Sequence, residues 1–265
     1  MSQRFDVYLP GHSWLHCLDP RAKLLAALLA GIAGLLFQHI AVLAGLLIVT
    51  QLLLLSARIP VGHIAWLWNR LVPLLVLILV LQPLFAPGPG PDLLRIGPVR
   101  VTLDGILIGV SFALRAAALT FVAATLLVST EANDLVAGMV AAGLPYTWGL
   151  MLGLAIRYLP TIYSLFVTVS EAQQARGWIV ERGNFVRRAR AYVPILVATI
   201  IAALRLSDSL GLALAARGLG YPADRTSLHT LHFGVGDWLA VVLTTGVFAA
   251  LLVVRYELGF GAAPL

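Results

Sequence analysis

Uninterrupted apolar runs recur along this 265-residue chain. A run of about 20 residues is what an α-helix needs to cross a hydrocarbon core roughly 30 Å thick. Composition agrees: 60% of residues are hydrophobic, 11% are charged and the mean hydropathy is +0.94, whereas soluble domains carry about 25% charge. The expected solvent is lipid. No ten-residue alternation marks the strands of a closed barrel, so the expected fold class is an all-α integral membrane protein. Met1 to Asp19 carries Arg4, Asp6, His12 and Asp19 with no apolar stretch between them, and no cleaved secretory signal is expected there. The single cysteine, Cys17, excludes an internal disulfide and a multi-cysteine metal site.

The cationic excess is almost all arginine, 17 Arg and one Lys against 12 acids, for a formal charge of +6. In a membrane protein such an excess reflects positive-inside loops, and nucleic acid is not an expected partner. Arg176, Arg182, Arg187, Arg188 and Arg190 crowd into one short segment, expected to be a cytoplasmic loop.

The apolar pattern predicts a first span from about Ala22 and a second ending near Ser56, with Gln38 and His39 at the turn between them. A third covers Leu71 to Phe85, a fourth Asp104 to Thr130 and the last Asp237 to Val254. Ala86-Pro-Gly-Pro-Gly-Pro91 breaks any helix, and alternation from Leu94 to Leu103 predicts a short hairpin outside the membrane. Trp14, Trp66, Trp68, Trp148, Trp178 and Trp238 flank apolar runs and read as interfacial anchors. Small residues at helical spacing, Ala30 and Gly34, then Gly105, Gly109, Ala113 and Ala117, offer close-packing faces either within the chain or to a partner.

Two further helices are predicted. From Thr147 to Gly177, Arg157, Thr161, Ser164, Thr168 and Glu171 form one polar stripe on a cylinder roughly 46 Å long. Ala191 to Gly218 carries Arg205, Asp208 and Ser209. Each ends in the same tripeptide, Ala175-Arg176-Gly177 and Ala216-Arg217-Gly218. Glycine here suits a C-cap and arginine suits the helix dipole. If both helices crossed the bilayer, the tripeptides would land on opposite faces; helices lying crosswise at the surface would put both on one. An arginine held at a helix tip can pair bidentately with carboxylates in another protein's acidic groove.

Asp19, Pro20, Arg21 and Lys23 have a structural reading, with Asp19 as N-cap, Pro20 at the first helical position and the two cations holding the cytoplasmic end of the first span. Arg115 lies about three turns inside the fourth span and must face protein, with Glu131 or Glu171 as possible acidic partners. His229 and His232 lack a third ligand and read as loop residues, so no metal site is expected.

Several segments together resemble the transmembrane T component of energy-coupling factor (ECF) transporters: Tyr8-Leu-Pro-Gly-His-Ser13, His16-Cys-Leu-Asp-Pro-Arg-Ala-Lys23, Arg115, Ile156-Arg-Tyr-Leu-Pro160, Ala172-Gln-Gln-Ala-Arg-Gly177, and Ala216-Arg-Gly218 followed by Tyr221. The resemblance covers nearly the whole chain. It implies two long coupling helices crossing near the cytoplasmic face, with Arg176 and Arg217 each inserted into a groove on one of two ATPase (A) subunits. It also implies a separate substrate-binding membrane S component that takes a vitamin or transition-metal ion. Two departures stand out: Cys17 occupies a position where a basic residue is usual, and Leu219-Gly220 separates the second tripeptide from Tyr221.

The expected architecture is about five transmembrane helices plus two coupling helices, preceded by a short amphipathic helix at Glu131 to Gly143. It divides into 1–130 with four spans, 131–221 with the coupling helices, and 222–265 with a loop and the last span. A phosphate-cradling loop needs Gly-x-x-x-x-Gly-Lys-Ser/Thr, and the lone lysine, Lys23, sits in Ala-Lys-Leu. The chain is therefore expected to be no enzyme and to hold no cofactor, ATP being bound by partner subunits. Its expected place is the bacterial or archaeal cytoplasmic membrane. Two alternatives stand beside this reading. One is the permease subunit of a conventional ABC importer, to which Glu171-Ala172 and Gly177 give a partial loop match; the other is a secondary transporter or membrane enzyme independent of any ATPase.

Overall fold

Asp19 and Pro20 start the first long helix as their chemistry dictates: the Asp19 carboxylate accepts from the Arg21 amide at 2.9 Å, and Pro20 occupies a position whose N–H needs no partner. In the computed structural model the described residues are 9, 11, 13–85, 92–96, 99–177, 185–220 and 233–258, by backbone alone for 92–96, 99–101, 185–189 and 191. They form α1 (Trp14–Cys17), α2 (Pro20–Leu36), α3 (Ile40–Ser56), α4 (Val61–Phe85), β1 (Asp92–Ile96), β2 (Val99–Thr102), α5 (Leu103–Ser129), α6 (Ala132–Ala141), α7 (Tyr146–Ala175), α8 (Phe185–Ala216) and α9 (Val235–Leu258). Five stretches are long and apolar enough to cross a membrane: α4, α5, α7, Tyr192–Ala216 of α8, and Val235–Glu257 of α9. The chain is an all-α integral membrane protein, apart from one antiparallel strand pair that registers Arg95 with Arg100 and Ile96 with Val99, where the sequence predicts a hairpin.

Two boundaries differ from expectation. Helix α4 begins at Val61, ten residues before Leu71, because Trp66, Asn69 and Arg70 interrupt the apolar pattern without breaking a helix. Helix α8 begins at Phe185, so Arg187, Arg188 and Arg190 belong to its first turns and not to a loop; arginine is among the better helix formers. Helices α2 and α3 have 17 residues each, roughly 26 Å.

The described chain divides into two compact units. One comprises residues 1–144 and 231–265, the other 145–230. In the first, α5 packs on α4, α3 and α2, while α2 also packs on α6 and α9. Its core gathers Leu15, Leu54, Ala57, Ile59, Leu71, Ala117 and Phe121. Trp68, partly buried, packs against that core with its ring 5.1 Å from Phe121. In the second unit α7 packs on α8. Much apolar surface stays uncovered, including Leu243, Val247 and Leu212, as lipid-facing helices require. Hydroxyls inside the helices are satisfied locally: Ser111, Thr120, Thr125, Thr199 and Thr244 each donate to the carbonyl four residues back.

The small-residue face of α5 is spent within the chain. Gly105, Gly109, Ala113 and Ala117 are all buried, and a Cβ on Gly109 would stand 3.4 Å from Gln82 Cβ and 3.5 Å from Pro83 Cδ of α4. On α2, a Cβ on Gly34 would meet Leu119 of α5 at 3.0 Å. Gly109→Ala should therefore be tolerated, whereas Gly109→Leu should push α4 from α5 and cost about 1 to 3 kcal/mol. Thermal unfolding of the purified protein checks this; an unchanged midpoint for the leucine variant would show that the face does not need a small residue.

Candidate functional site

Helices α7 and α8 end in the same local geometry. At the end of α8, Gly218 donates to Ala215 at 3.0 Å and Leu219 to Leu214 at 3.0 Å, with Gly218 at φ +81°. That is the Schellman cap, which needs a left-handed residue just past the last helical turn, and glycine takes that conformation without a Cβ clash. At the end of α7, Gly177 sits at φ +84° and donates to Gln174 at 2.9 Å. In both, the arginine occupies the position between the helix and its glycine: Arg176 donates its amide to Gln173 and Arg217 to Ala213 and Leu214.

The cap accounts for the glycines but not for the arginines. Helix α6 closes the same way, Gly143 at φ +117° donating to Val140 and Leu144 to Met139, with Ala142 in the arginine's place. Alanine suffices for the cap. Ala175, Arg176, Gly177, Ala216, Arg217 and Gly218 are all exposed, and neither arginine belongs to an ion pair among the described residues. Arg157, Thr161, Ser164, Thr168 and Glu171 are exposed along α7, as are Arg205, Asp208 and Ser209 on α8.

The Asp19–Lys23 motif is structural, though not as a pair of surface anchors. Lys23 is buried at 7% exposure and donates its ammonium to the His16 carbonyl at 3.2 Å and the Ser129 carbonyl, at the end of α5, at 3.0 Å. The Asp19 amide donates to Asp237 Oδ1 at 2.7 Å, and Asp237 Oδ2 accepts from Gly234 at 2.8 Å. One carboxylate thus supplies the N3 half of a capping box at the start of α9 and ties it to the start of α2. Arg21 stays partly exposed, its Nε 3.9 Å from Asp19 Oδ1. Helix α6 presses on the same place, where a Cβ on Gly138 would fall 2.9 Å from Pro20 Cβ.

Among the described residues Arg115 has no acidic partner. Its Nη2 donates to the Phe37 carbonyl at 3.0 Å, at the end of α2, and its guanidinium lies 5.1 Å from the Phe112 ring centre. The last carbonyls of a helix lack intrahelical donors and carry the negative end of its dipole, so they attract a guanidinium without a carboxylate. Arg255 of α9 donates to the neighbouring Leu36 carbonyl and lies over the Phe37 ring.

Lys23 and Asp237 sit with the start of α2, Arg115 and Arg255 with its end. Asp237 and Arg255 carry no signal of these roles in the sequence, since their partners lie more than 200 residues away. Trp178, Arg182, Tyr221, His229 and His232 lie outside the described residues.

Comparison with known proteins bears on the whole chain. The profile of a family described as cobalt transport protein, CbiQ, matches residues 11–228, which contain both Ala-Arg-Gly tripeptides. A protein of Acidaminococcus fermentans named energy-coupling factor transporter transmembrane protein EcfT is 29% identical over 261 residues, 94% of this chain and 95% of the relative. A protein of the same name from Streptococcus equi subsp. equi is 32% identical over 256 residues, 91% and 93% of the two chains. Another, from Heliobacterium modesticaldum, is 30% identical over 251 residues, 91% and 93%.

Because Asp237 satisfies amides at two helix starts, that of Asp19 buried and that of Gly234 partly so, Asp237→Ala should destabilise the protein by about 2 kcal/mol and loosen α9 from α2. Asp237→Asn, which keeps an acceptor, should cost less. Denaturation of the purified variants, with limited proteolysis near residue 234, measures both; wild-type stability in Asp237→Ala would show that these bonds do not hold α9.

Proposed function

This chain belongs to the family of the cobalt transport protein CbiQ, and on that premise we propose how it works as the transmembrane component of an energy-coupling factor transporter. Arg176 and Arg217 each grip an acidic groove on one of two ATPase subunits. The chain passes their ATP-driven closure to a separate membrane subunit that binds a vitamin or a transition-metal ion.

The observation that carries this reading is the pair of helix ends closed by a left-handed glycine, each presenting an exposed arginine that its cap does not require. Topology supports placing both on one face. Helix α5 ends at Ser129 and α9 begins near Asp237, and both meet the start of α2. The intervening chain leaves and returns at the same membrane face, so α7 and α8 cross together or not at all.

Were both to cross, Arg176 and the arginines up to Arg190 would lie on the face opposite Arg21 and Arg58, against the positive-inside rule. The exposed polar stripe of α7, with Arg157 and Glu171, would also meet lipid, at a cost of several kcal/mol. Helices that stay at the cytoplasmic face avoid both penalties.

ATP binding belongs to the partners in this reading. The only lysine is buried and engaged with two carbonyls, so no lysine is available for a phosphate loop in this chain. A conventional importer permease presents a single coupling loop, which two equivalent arginine tips do not fit.

Arg176→Glu and Arg217→Glu should each loosen one ATPase by roughly 30-fold or more, since an unpaired buried carboxylate costs about 2 to 5 kcal/mol. The change at each helix end should cost the fold only on the order of 1 kcal/mol. ATPase retention on the affinity-purified membrane subunit and substrate uptake into vesicles read the outcome. The double variant should retain neither ATPase nor transport. Retention of both with normal uptake would reduce the two arginines to dipole-complementing helix ends.

A further inference from the structure

We propose that Arg115 and Arg255 form a clamp for the phosphate of a phospholipid headgroup, seated over the end of α2 in the leaflet opposite the cytoplasm. The two side chains come from different helices and converge on consecutive carbonyls, Phe37 and Leu36. Each guanidinium carries five N–H donors, and among the described residues each makes one hydrogen bond to the chain. Arg115 Nε is enclosed and has no hydrogen-bond partner among those residues.

Among the described residues no acid pairs with either arginine. The ion pair found among the described residues, Arg21 with Asp19, lies at the opposite end of α2. Two full positive charges thus face the helix end, which supplies roughly half a negative charge. Uncompensated arginines are expensive within a membrane, and a phosphodiester relieves them by accepting bidentate N–H bonds from each planar fork.

Depth favours a lipid as the source. With its start at the face bearing Arg21 and Lys23, the 17-residue α2 is roughly 26 Å long and ends inside a hydrocarbon core of about 30 Å, just short of the opposite headgroups. Arginine side chains reach outward from that level to the phosphate plane. Leu35, next to Leu36 in the chain and 64% exposed, provides apolar surface for an acyl chain. Free phosphate shares the headgroup chemistry but has nothing to place there. This inference depends on membrane insertion alone and not on the ATPase contacts.

The test uses the full chain, purified with its companion subunits in a neutral detergent and stripped of lipid. Thermal midpoints are titrated with phosphatidylglycerol, with diacylglycerol, and with inorganic phosphate. Phosphatidylglycerol should stabilise the wild type, whereas the other two should not. Arg255→Gln should weaken the apparent lipid affinity about tenfold or more, the loss of one charge-assisted contact. Arg255→Lys should retain part of it. Arg255 lies in the last turn of α9, so this variant is informative even if Arg115→Gln fails to fold. Both variants lower the starting midpoint by losing a carbonyl contact, but only a lipid site changes the response to added lipid. An equal response in wild type and Arg255→Gln, or equal stabilisation by diacylglycerol, overturns the clamp. Equal stabilisation by inorganic phosphate overturns its assignment to a lipid.

Discussion

The buried ammonium of Lys23 is the tie on which this architecture depends. By donating to the carbonyls of His16 and Ser129 it fastens the start of α2 to the segment before it and to the end of α5. Asp237 adds the start of α9 to the same point through the Asp19 amide. A buried charge surrounded by satisfied acceptors tolerates little displacement, because a broken contact leaves it unsolvated. With α2 antiparallel to α5 and parallel to α9, the order of crossings in the first unit follows. The far end of α2 is held in turn by Arg115 and Arg255. Its two termini are thereby fixed by side chains from elsewhere in the chain, where a membrane leaves no water to do so.

From this frame the second unit inherits one topological condition. The chain departs after α6 and returns at Asp237 beside the start of α2, so α7 and α8 cross the membrane together or not at all. Their glycines answer to backbone geometry, as the alanine-containing cap of α6 shows. Their arginines have no part in that geometry, and the proposed function assigns them to the ATPase contact.

Much of the fold was legible from periodicity and helix punctuation: Asp19-Pro20 opened α2, Pro-Gly repetition closed α4, and the tripeptide glycines ended α7 and α8. The small-residue ladder of α5 was visible too, although only the approach of Pro83 showed that its occupant is α4. Interruptions by Trp66, Asn69 and Arg70 hid the first ten residues of α4, since hydropathy reports the solvent around a segment and not its backbone. Long-range polar ties were illegible. Lys23 read as a surface anchor because cations near span ends usually are, and Arg115 was expected to seek an acid when helix-end carbonyls sufficed. Nothing in the local sequence around Asp237 or Arg255 announces a partner so far away.

The central claim is that α7 and α8 both remain at the cytoplasmic face, and accessibility of the segment between them tests it most directly. In a Cys17-free background, Gly183→Cys and Tyr221→Cys would be treated with a membrane-impermeant maleimide from either side of sealed vesicles. The account predicts that both positions react only from the cytoplasmic side. Labelling of Gly183→Cys from the opposite side, with Tyr221→Cys still cytoplasmic, would mean that both helices cross, and Arg176 could not then reach an ATPase.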